Sequence, residues 1–414
     1  MNTSHLATLA WRNIWRNRRR TLITLFAISF GVLLAATITG LGDYSYGRMI
    51  DHAAKIGGGH VVVQHPEFQE LPNLKKTVGD AGAVRETAEA DPRVVRAVPR
   101  ITGAALVATA ASSQGASFMA IDPAAEDTST LAVLDDVVEG EMLAGTDTAG
   151  VVLGYKLAET LGLRLGKKLV YTVTDRHGEI VSGLARVKGL VKTGSPSLDG
   201  GLCLLPIDTM RKLLGYGPDE ATQVAIFVGD HRDATDVAAT MQASVQPDAV
   251  ALDWAEASPE LAGFIAMDRG GAIAIEITVM FLLAAGVFNT LLVSVLERMR
   301  EFGIMTALGF SAGALFVLVM WESIWIAAVG LVAAAVLTAW PYHYLATTGI
   351  DYSEMVGEGS EVAGIAIESV LRADLHFESG VVIVLCVFVS TIAAGLYPAW
   401  KAGRTNPADV IRLQ

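Results

Sequence analysis

Few residues of this chain have the types and spacing that metal binding or catalysis requires. His60 and His65 lie five positions apart, a spacing that suits a zinc site on neither a helix nor a strand. We interpret both as ordinary loop histidines, because no further metal ligand stands near them. A second group is a run of closely spaced carboxylates, at Asp135, Asp136, Glu139 and Glu141. Its composition is typical of a solvated face rather than of a metal site.

The sequence also gives little indication of phosphate binding or of a nucleophilic serine. Gly162 to Lys168 faintly resembles a phosphate-binding loop, but it lacks the four-residue gap between the glycines and the Ser or Thr after the lysine. Between residues 42 and 271 there is also no Gly-x-Ser-x-Gly sequence of the kind that carries a nucleophilic serine. The sequence therefore predicts a non-catalytic chain without a cofactor of its own. If it uses the energy of ATP, a partner subunit binds the ATP and magnesium.

The strongest functional signal is a charged segment, Glu297 to Gly309, between two long apolar runs. Those runs, Ala272 to Leu296 and Ala314 to Trp340, are each long enough to cross a bilayer, which takes roughly 20 helical residues. A short charged helix between two spans lies at a membrane surface, where a cytosolic partner can push on it. The alternative is a solvated loop, which gains nothing from the apolar residues Phe302, Ile304 and Leu308.

Composition fits a membrane protein with a large water-exposed part. The chain has 414 residues, of which 52% are hydrophobic, and its mean hydropathy is +0.45. The formal net charge of −12 gives no indication of nucleic-acid binding. The two cysteines, Cys203 and Cys386, are expected in different compartments, so no disulfide framework is predicted.

Hydropathy predicts four transmembrane helices, and the basic residues that flank them place both termini in the cytoplasm. The resulting division of the chain is an amphipathic elbow helix at 1–20, transmembrane helix 1 at 21–41, a large extracytoplasmic α/β domain at 42–271, transmembrane helix 2 at 272–296, a cytoplasmic coupling helix at 297–313, transmembrane helix 3 at 314–340, a short outer loop at 341–379, transmembrane helix 4 at 380–397 and a cytoplasmic tail at 398–414.

Two features of the N-terminal region, the first span and the segment before it, can each be interpreted in two ways. The first span has the basic front of a signal peptide, but its apolar run exceeds the roughly 7–15 residues of a signal core, so we favour an uncleaved anchor. Before it, apolar residues including Leu6, Ala10 and Ile14 share one side of a helix and arginines share the other. This pattern predicts an interfacial helix, against a basic flank with no fixed structure.

The segment from 42 to 271 alternates short β-branched runs with helical patterns, which indicates a mixed α/β fold. Strands are predicted at His60–Val63, Ile101–Ala108, Val151–Leu153, Leu169–Val173, Ala185–Val191 and Gln223–Val228. Helices are predicted at Ala81–Ala90, Tyr155–Leu161, Ile207–Leu214 and Asp233–Ala243. Thr193 to Gly201 is a turn-rich stretch, which predicts a mobile loop.

Two glutamates interrupt the predicted spans. Glu276 lies close to the outer end of its span, where water can reach it, whereas Glu322 is deeper and requires a partner or a cavity. In the first span, Ala27, Gly31 and Ala35 are spaced by four and form a stripe of small residues. Such a stripe lets another helix approach closely, within this chain or across a dimer.

Taken together, these residues resemble one family of ABC-transporter permeases, which includes the lipoprotein-releasing proteins LolC and LolE, the macrolide exporter MacB and the division protein FtsX. The resemblance is strongest in Glu297–Ile304 with Ala307–Gly309, and in the tail residues Tyr397–Arg404, Asn406, Pro407 and Val410–Arg412. Gly154–Val170 and Glu322 also resemble family positions.

The resemblance implies an inner-membrane permease subunit with a MacB-like periplasmic domain. It would form a dimer with itself or a paralogue, and a separate ATPase of the LolD or MacB type would dock on the segment between the second and third spans. The candidate coupling residues are Glu297, Arg298, Arg300, Glu301, Phe302, Gly303, Ala307, Leu308 and Gly309.

Lipoprotein release is the first expectation for function, with ATP hydrolysis moving the periplasmic domain. A lipoprotein substrate, a periplasmic adaptor or chaperone, and membrane lipids are the further partners that this function implies. The alternatives are a MacB-like exporter of small molecules or peptides, and an FtsX-like regulator of an envelope enzyme.

Overall fold

The computed structural model describes residues 3–352, 361–362, 365–366 and 370–404. The chain divides into two units. The helical unit comprises Met1–Ser45, Ala266–Asp351 and Val370–Gln414, and the α/β unit comprises Tyr46–Ile265 and Tyr352–Ser369. Asn406, Pro407 and Val410–Arg412 of the predicted tail lie outside the described residues, as do parts of the predicted outer loop at 341–379.

The helices are α1 Thr3–Arg16, α2 Arg18–Ile56, α3 Ala81–Glu89, α4 Tyr155–Thr160, α5 Pro196–Asp199, α6 Ile207–Leu214, α7 Ala234–Gln242, α8 Trp254–Ala257, α9 Pro259–Glu297, α10 Met299–Ala307, α11 Ala312–Thr347 and α12 Phe377–Gly403. The strands are β1 Val61–Gln64, β2 Val94–Ala108, β3 Ser113–Ile121, β4 Val137–Gly140, β5 Gly150–Gly154, β6 Lys168–Thr174, β7 Ile180–Val191, β8 Leu202–Pro206, β9 Gln223–Val228, β10 Val250–Asp253, β11 Ile350–Asp351, β12 Glu361–Val362, β13 Ile365–Ala366 and β14 Val370–Leu371.

Among the described residues, four helices are long and apolar enough to cross a membrane: α2, α9, α11 and α12. They contain the four predicted spans but extend beyond them. Helix α2 has 39 residues and is therefore about 58 Å long, almost twice the roughly 30 Å hydrocarbon core of a bilayer. The helix continues through Gly40, Gly42 and Asp43 at the end of the apolar run, and no proline interrupts it there.

The N-terminal helix α1 is an integral part of the helical unit. Leu6, Ala10 and Ile14 recur every four residues and are all buried. The Trp325 indole nitrogen of α11 donates a hydrogen bond of 3.1 Å to the Ala7 carbonyl oxygen of α1. The predicted amphipathic helix therefore exists, and its apolar face packs on other helices of the same chain.

A large mixed sheet forms the centre of the α/β unit. The strand order is β10-β1-β9-β2-β3-β8-β5-β7-β4, and β6 pairs with both β2 and β7. Most neighbours are antiparallel, whereas β3–β8 and β5–β7 are parallel. The long strand β2 pairs with β9 along its first half and with β3 along its second half, so it links the two halves of the sheet.

The predicted strands and helices of this unit are all present, and the turns between them have local causes. Gly162 and Gly166 adopt positive φ values of 64° and 76°, which ends α4 and starts β6. The segment expected to be a mobile loop instead contains the short helix α5. Ser195 caps that helix, and the Asp199 carboxylate accepts hydrogen bonds from the Thr193 amide and hydroxyl, both at 2.8 Å.

A buried arginine ties the turn after α2 to the sheet of the α/β unit. The guanidinium of Arg100 in β2 pairs with the Glu126 carboxylate at 2.8 Å and donates to the carbonyl oxygens of Gly57 and Thr130 at 2.5 and 2.8 Å. Both charged side chains are almost completely buried, and each of the three guanidinium nitrogens has an acceptor, as a buried ion pair requires. The end of α2 is thereby fixed within this unit.

Candidate functional site

Helix α10 is the short helix that joins two membrane-length helices. It begins directly after Arg298, where α9 has ended at Glu297, and it ends at Ala307. Gly309 follows with a φ of +99°, a left-handed conformation that glycine adopts without strain. Ser311 then caps α11 by accepting a 3.2 Å hydrogen bond from the Ala314 amide.

The same turn contains a Gly-x-Ser-x-Gly sequence, which lies outside residues 42–271. Gly309, Phe310, Ser311, Ala312 and Gly313 match the Gly-x-Ser-x-Gly pattern of a nucleophilic serine. That chemistry needs a strand before the serine, whereas here a helix precedes it. The serine oxygen is engaged as a helix cap, so the match has a structural explanation.

The inner face of α10 packs into the helical unit. Phe302 is fully buried and Gly303 is buried beside it. Phe302 belongs to an apolar cluster with Val295 of α9 and with Leu315 and Val319 of α11. One side of α10 is thus fixed by contacts within the chain.

A buried ion pair fixes the start of α10 to α11. The Arg298 guanidinium lies 2.7 Å from the Glu322 carboxylate, and the two side chains are only 7% and 5% exposed. The Asn13 amide of α1 donates a second hydrogen bond of 2.8 Å to the same carboxylate oxygen of Glu322. Arg298 also stacks over the Phe302 ring at 5.1 Å. Removing one member of such a pair leaves an uncompensated buried charge, so its geometry is strongly held.

Two more exposed ion pairs join α1 and the start of α2 to the same region. Arg16 lies 2.9 Å from Glu301, which also pairs with Arg298 at 3.2 Å, and Arg20 lies 2.6 Å from Glu297. Partial burial acts to raise the pKa of Glu301, but the hydrogen bonds from Arg16 and Arg298 outweigh it and hold that pKa below its ordinary value. These pairs add links of α1 and α2 to the segment around α10.

The outer face of α10 carries an exposed apolar stripe. Arg300, Ile304 and Leu308 follow one another every four residues; Leu308 is the C-cap residue of α10, and Ile304 and Leu308 are 56% and 76% exposed. Ala307 of α10 is exposed as well, and so is Glu297 at the end of α9. Of the residues expected to contact a partner, Arg298, Phe302 and Gly303 instead point into the chain, because they fill the cluster and ion pair that hold the helix.

The other polar and small residues singled out from the sequence have partners inside the helical unit. The Thr39 hydroxyl of α2 donates a 2.5 Å hydrogen bond to the Glu276 carboxylate of α9. Gly31 of α2 lies so close to α9 that an added Cβ would stand 2.2 Å from a methyl group of Leu283. Ala35 is buried on the same side of α2, and Ala27 is partly buried.

Sequence reasoning missed Asn13, Arg16 and Arg20 as parts of this site. The ion pair could have been predicted from Glu322, because a carboxylate inside an apolar helix is energetically costly and requires a nearby hydrogen-bond donor. Arg298, 24 residues earlier, is the basic residue that meets this need in the structure. The sequence does not distinguish the buried arginine of this site from the more exposed ones, because arginines of both kinds lie close to other charged residues along the chain.

Comparisons with known proteins identify the family. A model of the MacB-like periplasmic core domain matches residues 21–244, and one of the FtsX-like permease C-terminal region matches residues 273–407. The chain is 26% identical to the lipoprotein-releasing system transmembrane protein LolC of Xylella fastidiosa, over 78% of this chain and 79% of that protein. It is 21% identical to LolE of Haemophilus influenzae over 99% of both chains.

A third relative and one solved structure complete the comparison. The pyoverdine export ATP-binding/permease protein PvdT of Pseudomonas entomophila is 26% identical over 97% of this chain and 58% of that protein. The periplasmic region of MacB from Actinobacillus actinomycetemcomitans aligns with 50% of this chain and 94% of that one, at 11% identity and a TM-score of 0.34. On the strength of the matching family models, the chain belongs to the LolC/LolE, MacB and FtsX family of ABC-transporter permeases and is a bacterial membrane protein.

Proposed function

We propose that this chain is the permease subunit of an inner-membrane transporter in which a separate ATPase docks on the outer face of α10. The supporting observation is the exposed apolar stripe of Ile304 and Leu308 on a helix whose opposite face is immobilised. Both chain termini are cytoplasmic in this proposal, and the partner ATPase binds the ATP and magnesium. A second permease copy or a paralogue completes the transporter.

The ion pairs around α10 suit such a role. A push on the outer face meets a helix held by the Arg298–Glu322 pair and by Arg16, so the displacement passes to α11 and α1 instead of being absorbed by a flexible loop. Helices α2 and α9 each contribute residues to both the helical and the α/β unit. They offer a continuous path by which hydrolysis on one side of the membrane moves the α/β unit on the other.

For the cargo we propose a lipoprotein or another amphipathic molecule that is released from the inner membrane. This choice is supported by the coverage of the matches, because LolE aligns with this chain over 99% of both proteins. Export of a small molecule is the second candidate, and the match to PvdT favours it. The two differ in a direct assay: release of lipoprotein from spheroplasts, or accumulation of a small molecule outside the cell.

The docking proposal is tested by removing the apolar stripe. Ile304→Ser with Leu308→Ser removes two apolar contacts, each worth about 1.5–3 kcal/mol when fully buried, so the affinity for the ATPase should fall by at least roughly a hundredfold. The matched control is Ile180→Ser with Leu184→Ser, since these residues are 78% and 56% exposed on β7 of the α/β unit.

The measurement is vanadate-sensitive ATP hydrolysis in material purified through a tag on the full chain from its native host. We expect activity with the wild type and with the β7 control, and almost none with the α10 variant. Equal activity in all three preparations would show that the ATPase docks elsewhere. Loss in both variants would point to a general defect and would equally contradict the assignment to α10.

A further inference from the structure

A cavity of about 290 Å³ lies within the α/β unit, between the sheet and the helices α2, α8 and α9. Its floor is formed by β1 and β9, and its walls include Phe68, Trp254 and Leu261. None of the described residues that line it carries a charge. Its volume is close to the lower end of the roughly 300–1,000 Å³ typical of small-molecule sites.

Two glutamines form the polar part of this cavity. Gln64 of β1 and Gln223 of β9 are direct cross-strand partners, so their side chains project from the same face of the sheet. They are only 5% and 6% exposed. The Gln223 Oε1 atom makes a 3.5 Å contact with the Thr102 hydroxyl. Within the part of the chain that the structure describes, the Gln223 nitrogen and both amide atoms of Gln64 have no hydrogen-bond partner.

Neither glutamine is among the described residues whose fully enclosed side-chain atoms lack a hydrogen bond, so these free amide atoms open onto the cavity and offer donor and acceptor capacity there. Gly58 lies beside one of these amides, since a Cβ added there would meet the Val62 side chain at 2.9 Å and stand 3.7 Å from the Gln223 nitrogen. By contrast, the nearby Gln69 already donates a 2.5 Å hydrogen bond to the Glu256 carbonyl.

We infer that this cavity binds a short, uncharged peptide segment. Its peptide group would accept from one glutamine amide and donate to the other, since a carboxamide offers one donor group and one acceptor. An apolar side chain of the same segment would lie against Phe68, Trp254 and Leu261. The site is on the α/β unit and does not involve α10, so it goes beyond the proposed ATPase docking and stands or falls separately.

The position of the cavity gives binding a consequence. Its wall contains Ala53 and Ala54 from the last turn of α2 and Leu261 from the first turns of α9. A bound segment would touch both helices at the points where they enter the α/β unit. Binding is therefore linked to the spacing of these two helix ends.

The test uses N-acetyl-L-phenylalanine amide as the probe and the full chain in phospholipid nanodiscs, with empty nanodiscs as the blank. Binding is followed by saturation-transfer NMR, and dissociation constants are obtained by titration. Gln64→Leu and Gln223→Leu should each weaken binding about fivefold, the effect of losing one neutral hydrogen bond. The matched control is Gln114→Leu, because Gln114 is exposed on β3 and away from the cavity, and this change should leave binding unaltered.

Two further arms make the outcome decisive. Ala257→Phe fills the cavity from the α8 side and should abolish binding while both glutamines remain. The free acid N-acetyl-L-phenylalanine should bind at least tenfold more weakly than the amide, since no cation lines the cavity to pair with its carboxylate. Equal signals from wild type, Ala257→Phe and empty nanodiscs would mean that the cavity holds water only and would overturn the inference. Equal affinity for acid and amide would overturn it as well.

Discussion

Replacing Glu322 by leucine tests the claim that a buried ion pair holds α10. The change leaves the Arg298 side chain 7% exposed and, among the described residues, with Glu301 as its remaining carboxylate partner at 3.2 Å, and it removes the acceptor of the Asn13 amide. Removing one partner of a buried pair costs about 3–5 kcal/mol. For a unit of 150–250 residues, each kcal/mol lowers Tm by about 2–4 °C, so the expected loss is roughly 6–20 °C.

The control is Glu297→Leu, which removes the same charge from an exposed pair. Glu297 lies 2.6 Å from Arg20 but is 55% exposed, and such surface pairs contribute about 0.2–1 kcal/mol. The expected Tm change is therefore below about 4 °C. A double variant, Arg298→Met with Glu322→Leu, should recover most of the lost stability, because apolar residues of similar volume often replace buried ion pairs without loss.

Thermal unfolding of the full chain in nanodiscs, followed by tryptophan fluorescence, measures all three variants. Trp325 is a suitable reporter because its indole is bonded to α1, next to the site. The reasoning is refuted if Glu322→Leu lowers Tm no more than Glu297→Leu. It is also refuted if the double variant is as unstable as the single one, since the stranded charge would then not be the cause.

Two further predictions concern the α/β unit and are read out by hydrogen exchange of its strands in the full chain. The pKa of Glu220 lies below its ordinary value. Burial acts to raise this pKa, but the hydrogen bonds from Thr77 and Arg176 outweigh that effect. The contribution of ionised Glu220 to stability is therefore complete above the unfolded pKa of about 4.3 and is lost as pH falls through the lower folded pKa. On acidification, the Glu220→Gln variant should lose less protection from hydrogen exchange than the wild type. An equal loss in both proteins would contradict the lowered pKa. Gly59→Ala should destabilise the α/β unit by about 2 kcal/mol or more. The reason is that Gly59 has a φ of +87° and that an added Cβ would stand 2.6 Å from backbone atoms of Ile226. Unchanged hydrogen exchange in β9 would contradict this geometry.

Much of the fold follows from local patterns in the sequence. The four long apolar runs predict the four membrane-length helices, because hydrocarbon requires an uninterrupted helix. The ends of these helices were not predictable from hydropathy. Helix α2 continues to Ile56 after its apolar run stops, since Ile50 and Ala54 are placed one turn apart and bury against the α/β unit's own residues.

Other elements escaped prediction for a different reason. Strand β3, Ser113–Ile121, begins with Ser, Gln and Gly, which carry little strand preference, and its pairing with β2 and β8 supplies what local propensity does not. At α10, charge alone suggested a surface facing a partner. Only the long-range contact with Glu322 reveals that Arg298 belongs inside, and contacts across 24 residues are not encoded in local spacing.

The border between the two units falls inside helices, and this has a practical result for anyone preparing the water-exposed part alone. Ile50 on α2 packs with Leu261 and Ile265 on α9, so all three belong to the fold of that part. A fragment that starts at strand β1 and stops before Pro259 would lack all three of these apolar residues. It would also lack Gly57, whose carbonyl oxygen accepts a hydrogen bond from Arg100. A soluble version should therefore begin at or before Tyr46 and end at or after Ile265, keeping both helical stubs.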